Sequence, residues 1–346
     1  MPVQTEDSLP VPFDTSERLA GGRPPQPRQV PRGLGPGARR ERELSASDIL
    51  TRAARPPDRV LRYGPRPEQF ADLRLPVWSE EAENSSARAP DWRPEWPVVI
   101  FLHGGFWRAA FDRTHTGPLA EALASAGFAV CTPEYRRTGM AGGGWPGTFD
   151  DVAAAVDALP GLVAPAAVAA GGRADLSRVV LAGHSAGGHL ALWAAGRGVL
   201  PEGGRWARVA GVAGVVSLAG VCDLAACFRL GLGRDAAGAL MGGGPDRYPD
   251  RYRAADPMGL VPTGIPAWLV HGSADDRVPA ELSVAYAERG RDAGDDVTCE
   301  VLAGCGHFEV IDPVSGAWGA VVAAFWAAAG EAGEAGPGGG GLGATG

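Results

Sequence analysis

Lysine is missing from this chain, and asparagine occurs once, at Asn84. The 32 basic residues are therefore all arginine, and 40 acidic residues outnumber them. A net charge of −8 provides none of the basic surface that phosphate backbones demand, so a nucleic-acid partner is excluded. With abundant Ala and Gly beside these absences, the composition is that of a GC-rich bacterial genome. The five cysteines (Cys131, Cys222, Cys227, Cys299 and Cys305) form no C-x-x-C pair. Most sit in apolar runs, where buried reduced thiols are expected rather than disulfides or metal ligands.

Targeting signals are lacking as well. Met1 to Asp7 has no basic region leading into an apolar one, and Arg39-Arg40 is not followed by an apolar stretch. No run approaches the length of a membrane span. The expected location is cytoplasmic, with no membrane partner. Neither an internal repeat, a metal cluster nor a nucleotide fingerprint is present, so no metal and no cofactor are expected. Gly142-Gly143-Gly144 and Gly242-Gly243-Gly244 lack the strand–helix setting of a phosphate loop and read as plain turns.

What is present is a 346-residue chain, 45% hydrophobic, with ample material for one sizeable core. Residues 1–57 are rich in Pro, Gly and Arg and read as a disordered extension. One short helix is expected there, over Asp48 to Ala54 with Ser45 or Ser47 as its cap. A folded domain follows over residues 58–330, then a disordered Gly-rich tail over 331–346. The domain opens with two short segments, Arg59 to Pro65 and Phe70 to Pro76. Leu73 and Leu75 alternate with Asp72 and Arg74 there, as in an exposed antiparallel pair at a sheet edge. Ser79 to Glu95 reads as a loop. From Pro97 onward strands and helices alternate, including a helix capped by Thr148. That pattern predicts an α/β fold with a mostly parallel central sheet and helices on both faces.

One stretch organises the rest. Arg178-Val179-Val180-Leu181-Ala182 is short and β-branched like a buried strand, and His189 to Ala195 is apolar at helical spacing. Between them lies Gly183-His184-Ser185-Ala186-Gly187-Gly188, a G-x-S-x-G string on a strand-to-helix turn. Such a turn strains the serine backbone, demands small neighbours and lifts Oγ out of the sheet. A serine needs a base to take its proton and an acid to orient that base. In parallel α/β sheets both are expected just after later strands. Asp275 follows Trp268-Leu269-Val270, with Asp276 and Asp223 as weaker candidates. His307 follows Val301-Leu302 in a Gly-flanked turn. His103 and His271 end strands and are expected to orient loops, His184 and His189 belong to the turn unit, and His115 lies in a polar loop. The order Ser185, Asp275, His307 is that of an α/β-hydrolase triad. Backbone N–H groups of Gly105, Phe106 and Ala186 would hold the oxyanion.

His103-Gly104-Gly105-Phe106-Trp107, the Ser185 stretch, His271-Gly272-Ser273-Ala274-Asp275 and Gly306-His307-Phe308 together resemble the α/β-hydrolase superfamily over about residues 59–330. The H-G-G-x-W form is similar to that of arylformamidase (kynurenine formamidase)-like hydrolases, with hormone-sensitive-lipase-like esterases close by. The resemblance implies a serine hydrolase cleaving a small acyl amide or ester. A short-chain carboxylesterase is the alternative, and a catalytically silent binding protein of this fold the reading from another class. Trp107, Trp145 and Phe308 are then candidate pocket walls, while Phe149 and Phe228 are expected in the core. A homodimer is left open.

Overall fold

The eight strands among the described residues are β1 (Arg59–Arg62), β2 (Phe70–Arg74), β3 (Glu95–Leu102), β4 (Ala129–Pro133), β5 (Arg173–His184), β6 (Val212–Leu218), β7 (Ala267–Gly272) and β8 (Val297–Leu302). They form one sheet in the order β1-β2-β4-β3-β5-β6-β7-β8. β1 and β2 pair antiparallel, as do β2 and β4, while every pairing from β4 through β8 is parallel. This computed structural model describes residues 46–77, 93–207 and 211–330, all within one unit, Leu44–Gly346. The expected disorder of residues 1–45 and of the tail lies outside the described residues, as does most of the loop read over 79–95.

Nine helices are described: α1 (Ala46–Leu50), α2 (Gly117–Ser125), α3 (Gly147–Ala169), α4 (Ala186–Ala195), α5 (Leu224–Arg229), α6 (Leu232–Met241), α7 (Pro249–Ala255), α8 (Glu281–Asp292) and α9 (Trp318–Ala328). The period-2 alternation of the strands divides them between two cores. Val98, Ile100 and Leu102 of β3 join Val179 and Leu181 of β5 in a core with residues of α3, α4 and α8. Val99 and Phe101 join Val180 and Ala182 in a second core with residues of α1, α2 and α9. Strands buried on both faces read as continuous apolar runs, which is why β3 and β5 were visible in the sequence.

Four expectations need correction. The segment before residue 58 is not wholly a disordered extension. Ile49 of α1 is only 3% exposed within the second core. Burying such a side chain contributes roughly 1.5–3 kcal/mol, and a helix this short forms only by such docking. The β1–β2 pair does lie at a sheet edge, but β2 is covered. Asp72 and Arg74 are buried because Arg113 pairs with Asp72 at 2.9 Å and Arg74 donates to Arg55 O at 2.9 Å. Thr148 does not cap α3; it lies inside the first turn, donates to Arg136 O and accepts from Gly144 N. Finally, α3 is long and apolar enough, by length and composition, to cross a bilayer. Its Ala content produces that apolarity, and Phe149, Val152, Leu159 and Val163 place one face in the core.

Candidate active site

β5 ends at His184 and α4 begins at Ala186, so Ser185 alone makes the turn. Its backbone pays for this with φ 55° and ψ −117°, a conformation costing about 1–3 kcal/mol for a residue with a side chain. The neighbours must be small for a steric reason. A Cβ on Gly183 would collide with the Gly187 carbonyl, and one on Gly187 with the Leu102 carbonyl. The turn is also tied to β6: Ser185 N donates to Leu218 O at 2.9 Å and Val221 N donates to Ser185 O at 3.2 Å. As the first residue of α4, Ala186 has an N–H with no acceptor inside the helix.

The loop after β7 carries Asp275, whose side chain is wholly buried. One oxygen, Oδ1, accepts from the backbone N–H groups of Arg277 and Val278, each at 2.8 Å. The other, Oδ2, lies 2.6 Å from His307 Nδ1 and 3.1 Å from His271 Nε2. Burial alone would raise the Asp275 pKa. The hydrogen bonds from His271 and His307, the charge on His307 and the Val278 N–H outweigh it and hold the carboxyl well below its usual range. Asp276 instead has a side chain 76% exposed and pairs with Arg277 at 3.2 Å. Asp223, the other weaker candidate, caps α5 by accepting from Ala226 N at 2.6 Å.

With Nδ1–H directed at Asp275, the Nε2 of His307 is left as an acceptor. His307 and Ser185 line one cavity of about 290 Å³, together with Gly105, Phe106 and Phe308. The predicted Ser185, Asp275 and His307 are thus brought together. Behind them, His184 Nε2 donates to His307 O at 2.9 Å and fixes the histidine's backbone. Burial, then the nearby His307, pushes the His184 pKa well below the ordinary histidine value, so that ring is neutral.

Gly105 and Phe106 reach the cavity on the loop after β3, where φ is +111° at Gly105, 51° at Phe106 and 54° at Trp107. The loop is braced from below. His103 Nε2 lies 3.0 Å from Glu134 Oε1, and Tyr135 donates to His103 O at 2.7 Å. Two candidate pocket walls are not where the sequence reading put them. Trp107 is fully buried in the core and donates from Nε1 to Ala186 O at 3.1 Å. Its role is to hold the start of α4 against the Gly105 loop. Trp145 lies in an aromatic cluster, its ring centroid 5.3 Å from Phe149 and 4.9 Å from Trp206, beside a different cavity. Only Phe308 of the three lines the Ser185 cavity. Phe149 is core, as expected, and Phe228 is partly buried at the edge of the same core.

The residues that sequence reasoning did not assign to the cavity are Leu50, Phe111, His115, His184 and Arg277. Leu50 and Phe111 carry no local signal, because only the chain's path brings them there. His271 was expected to orient a loop; the side chain it touches is the acid itself, and its Nδ1 lies 2.7 Å from Ser283 Oγ on α8.

Solved structures of several esterases share the fold. A truncated carbohydrate esterase from gut microbiota has a TM-score of 0.62 at 20% identity, covering 80% of this chain and 100% of that one. Esterase 2 of Thermogutta terrifontis, in its apo form, has a TM-score of 0.55 at 20% identity, covering 76% and 90%. A bifunctional GH43-CE protein of Bacteroides eggerthii has a TM-score of 0.53 at 23% identity, covering 71% of this chain and 35% of that one. A search of curated protein sequences gives no match. The BD-FAE family profile matches residues 89–289, more than half of the chain and the segment containing both the Ser185 turn and Asp275. The chain therefore belongs to the BD-FAE family of α/β-hydrolase-type esterases.

Proposed function

We propose that this esterase cleaves small acyl esters through an acyl-enzyme on Ser185. The observation that carries the reading is the 2.6 Å contact between His307 Nδ1 and Asp275 Oδ2, made beside a cavity onto which the strained Ser185 opens. His307 Nε2 takes the Oγ proton as Oγ attacks the ester carbonyl carbon, and the carbonyl electron pair moves onto oxygen. The N–H groups of Gly105, Phe106 and Ala186 hold that oxyanion, each donor contributing about 2.7–4 kcal/mol to the transition state. Collapse expels the alcohol, which takes the proton from His307. Water then loses a proton to the same nitrogen, attacks the acyl-enzyme and releases the acid. Asp275, held ionised by its hydrogen bonds, stabilises the imidazolium in both steps.

Ester cleavage is preferred over arylformamide cleavage because the residue that suggested a formamidase pocket, Trp107, is sealed in the core and cannot touch a ligand. The structurally similar proteins include a carbohydrate esterase and an esterase, which supports including acylated sugars among the substrates. The test is kcat/KM on one preparation for p-nitrophenyl acetate, p-nitrophenyl hexanoate, an acetylated sugar and N-formylkynurenine. Ester turnover well above deformylation is expected. Deformylation exceeding hydrolysis of the acetyl esters would restore the amidase reading, and no turnover of any would favour a silent binding protein.

A further inference from the structure

Part of the cavity wall comes from outside the residues that the family profile matches. Leu50, the last residue of α1, lines the Ser185 cavity with Phe106, Phe111 and Phe308, whereas the family match begins at residue 89. Three anchors fix this segment. Ile49, next to Leu50, is buried in the same core as Phe101, Leu119 and Val310. Arg52 Nη2 lies 2.9 Å from Asp312 Oδ2, whose side chain is fully buried. Further on, Arg55 N donates to Glu121 Oε2 at 3.0 Å and Arg55 O accepts from Arg74 Nη2 at 2.9 Å.

We propose that Leu50 is a specificity-determining residue, positioned by Ile49 and Arg52 so that it sets how long an apolar chain a bound ester can lodge beside Ser185. The inference rests on the reading of Ser185 as the nucleophile. Its chemistry is that of the apolar part of the wall: Leu50, Phe106, Phe111 and Phe308 suit a hydrocarbon segment, beside the polar side chains of His115 and Arg277 that line the same cavity. Because Asp312 follows His307 and Phe308 in one loop, the Arg52 ion pair also ties Leu50 to the segment that carries the base. The size of the pocket is then set in part by an N-terminal arm that lies outside the family match, while Ser185 and Asp275 lie within it.

Two ester series test this on the full-length protein: p-nitrophenyl esters from acetate to octanoate, and alkyl acetates of increasing alcohol length. Leu50→Ala should raise kcat/KM for long over short chains in one series by about 10-fold or more, the scale of one methylene in an apolar pocket. Leu50→Trp should shift the same ratio the other way, and Arg52→Ala should move it in the Leu50→Ala direction by releasing the arm. Each preparation is also treated with a fluorophosphonate and the adduct located by mass spectrometry. Labelling at Ser185 with chain-length ratios unchanged within about two-fold in both Leu50 variants would overturn the role of Leu50 alone. Absence of a Ser185 adduct in the wild-type protein would overturn the assignment of the cavity, and this inference with it.

Discussion

Asp275 Oδ2 serves two imidazoles at once, His307 at 2.6 Å and His271 at 3.1 Å. The second of these is fully buried and is itself held from both sides. Its Nε2 also meets Val278 O at 2.9 Å, so that nitrogen carries the proton, and its Nδ1 then accepts from Ser283 Oγ at 2.7 Å. The result is a carboxylate whose position and orientation are determined before His307 is considered. Its Oδ1 is saturated by two backbone N–H groups, and its Oδ2 is shared between a buried ring and the ring that faces the cavity.

From this arrangement His271 is a positioning residue acting through Asp275. His271→Asn should lower kcat by about 10- to 100-fold, the equivalent of one hydrogen bond to a charged group, with KM little changed. Ser283→Ala should have a smaller effect of the same kind. Steady-state kinetics on the three proteins decide it. A rise in KM with kcat preserved would mean that His271 shapes the pocket and does not orient the acid.

The two adjacent acids should separate cleanly. Asp275→Asn should cost up to about 10⁴ in kcat by fixing the wrong histidine tautomer, while Asp276→Asn, on an exposed side chain, should cost little. The reverse ranking would move the acid to Asp276. Stability should follow the Asp275 titration. A carboxyl held below its unfolded pKa of about 3.9 stabilises the fold above that pH and loses the contribution in stronger acid. The stability gap between wild type and Asp275→Asn should therefore narrow as pH falls below about 4.

Buried histidines govern the milder acid range. Burial holds His189 at about 4; burial, and then the nearby His103, hold His115 at about 4, and His184 is also well depressed. Unfolding returns each to about 6.5, so each takes up a proton on unfolding below that pH. Their stability contribution is present above the unfolded value and is lost as pH falls. Asp256 acts in the opposite sense: burial raises its carboxyl to about 6, so the folded protein binds its proton first and gains stability as pH falls. Three depressed rings outweigh the one raised carboxyl, so the fold should lose stability as pH falls from 7 to 5. Urea unfolding at pH 7, 6 and 5 checks this, and a flat profile would mean that the rings are charged in the folded state.

The sequence was most informative where one physical demand acted on consecutive residues. Strands buried on both faces produced the apolar runs of β3 and β5, and the Ser185 turn required its glycines locally. Asp275 and His307 could be found because topology puts functional loops at the ends of parallel strands. Side-chain direction was not legible in the same way. Trp107 follows Phe106 in the chain, yet one faces the core and the other the cavity because two successive residues adopt positive φ. Leu50 was hidden for another reason. Its neighbourhood read as one short helix in an otherwise disordered extension, with no role legible, and the anchors that order it, Asp312, Glu121 and Arg74, are not its neighbours in sequence.

The central claim is that Ser185 is the nucleophile, and the most direct measurement is kcat for p-nitrophenyl acetate in Ser185→Ala. If Ser185, His307 and Asp275 act as a unit, turnover falls by about 10⁶-fold, while the melting temperature stays close to that of wild type or rises slightly. Retention of more than a few per cent of wild-type kcat in a folded, contaminant-free preparation would contradict the account and place the nucleophile elsewhere.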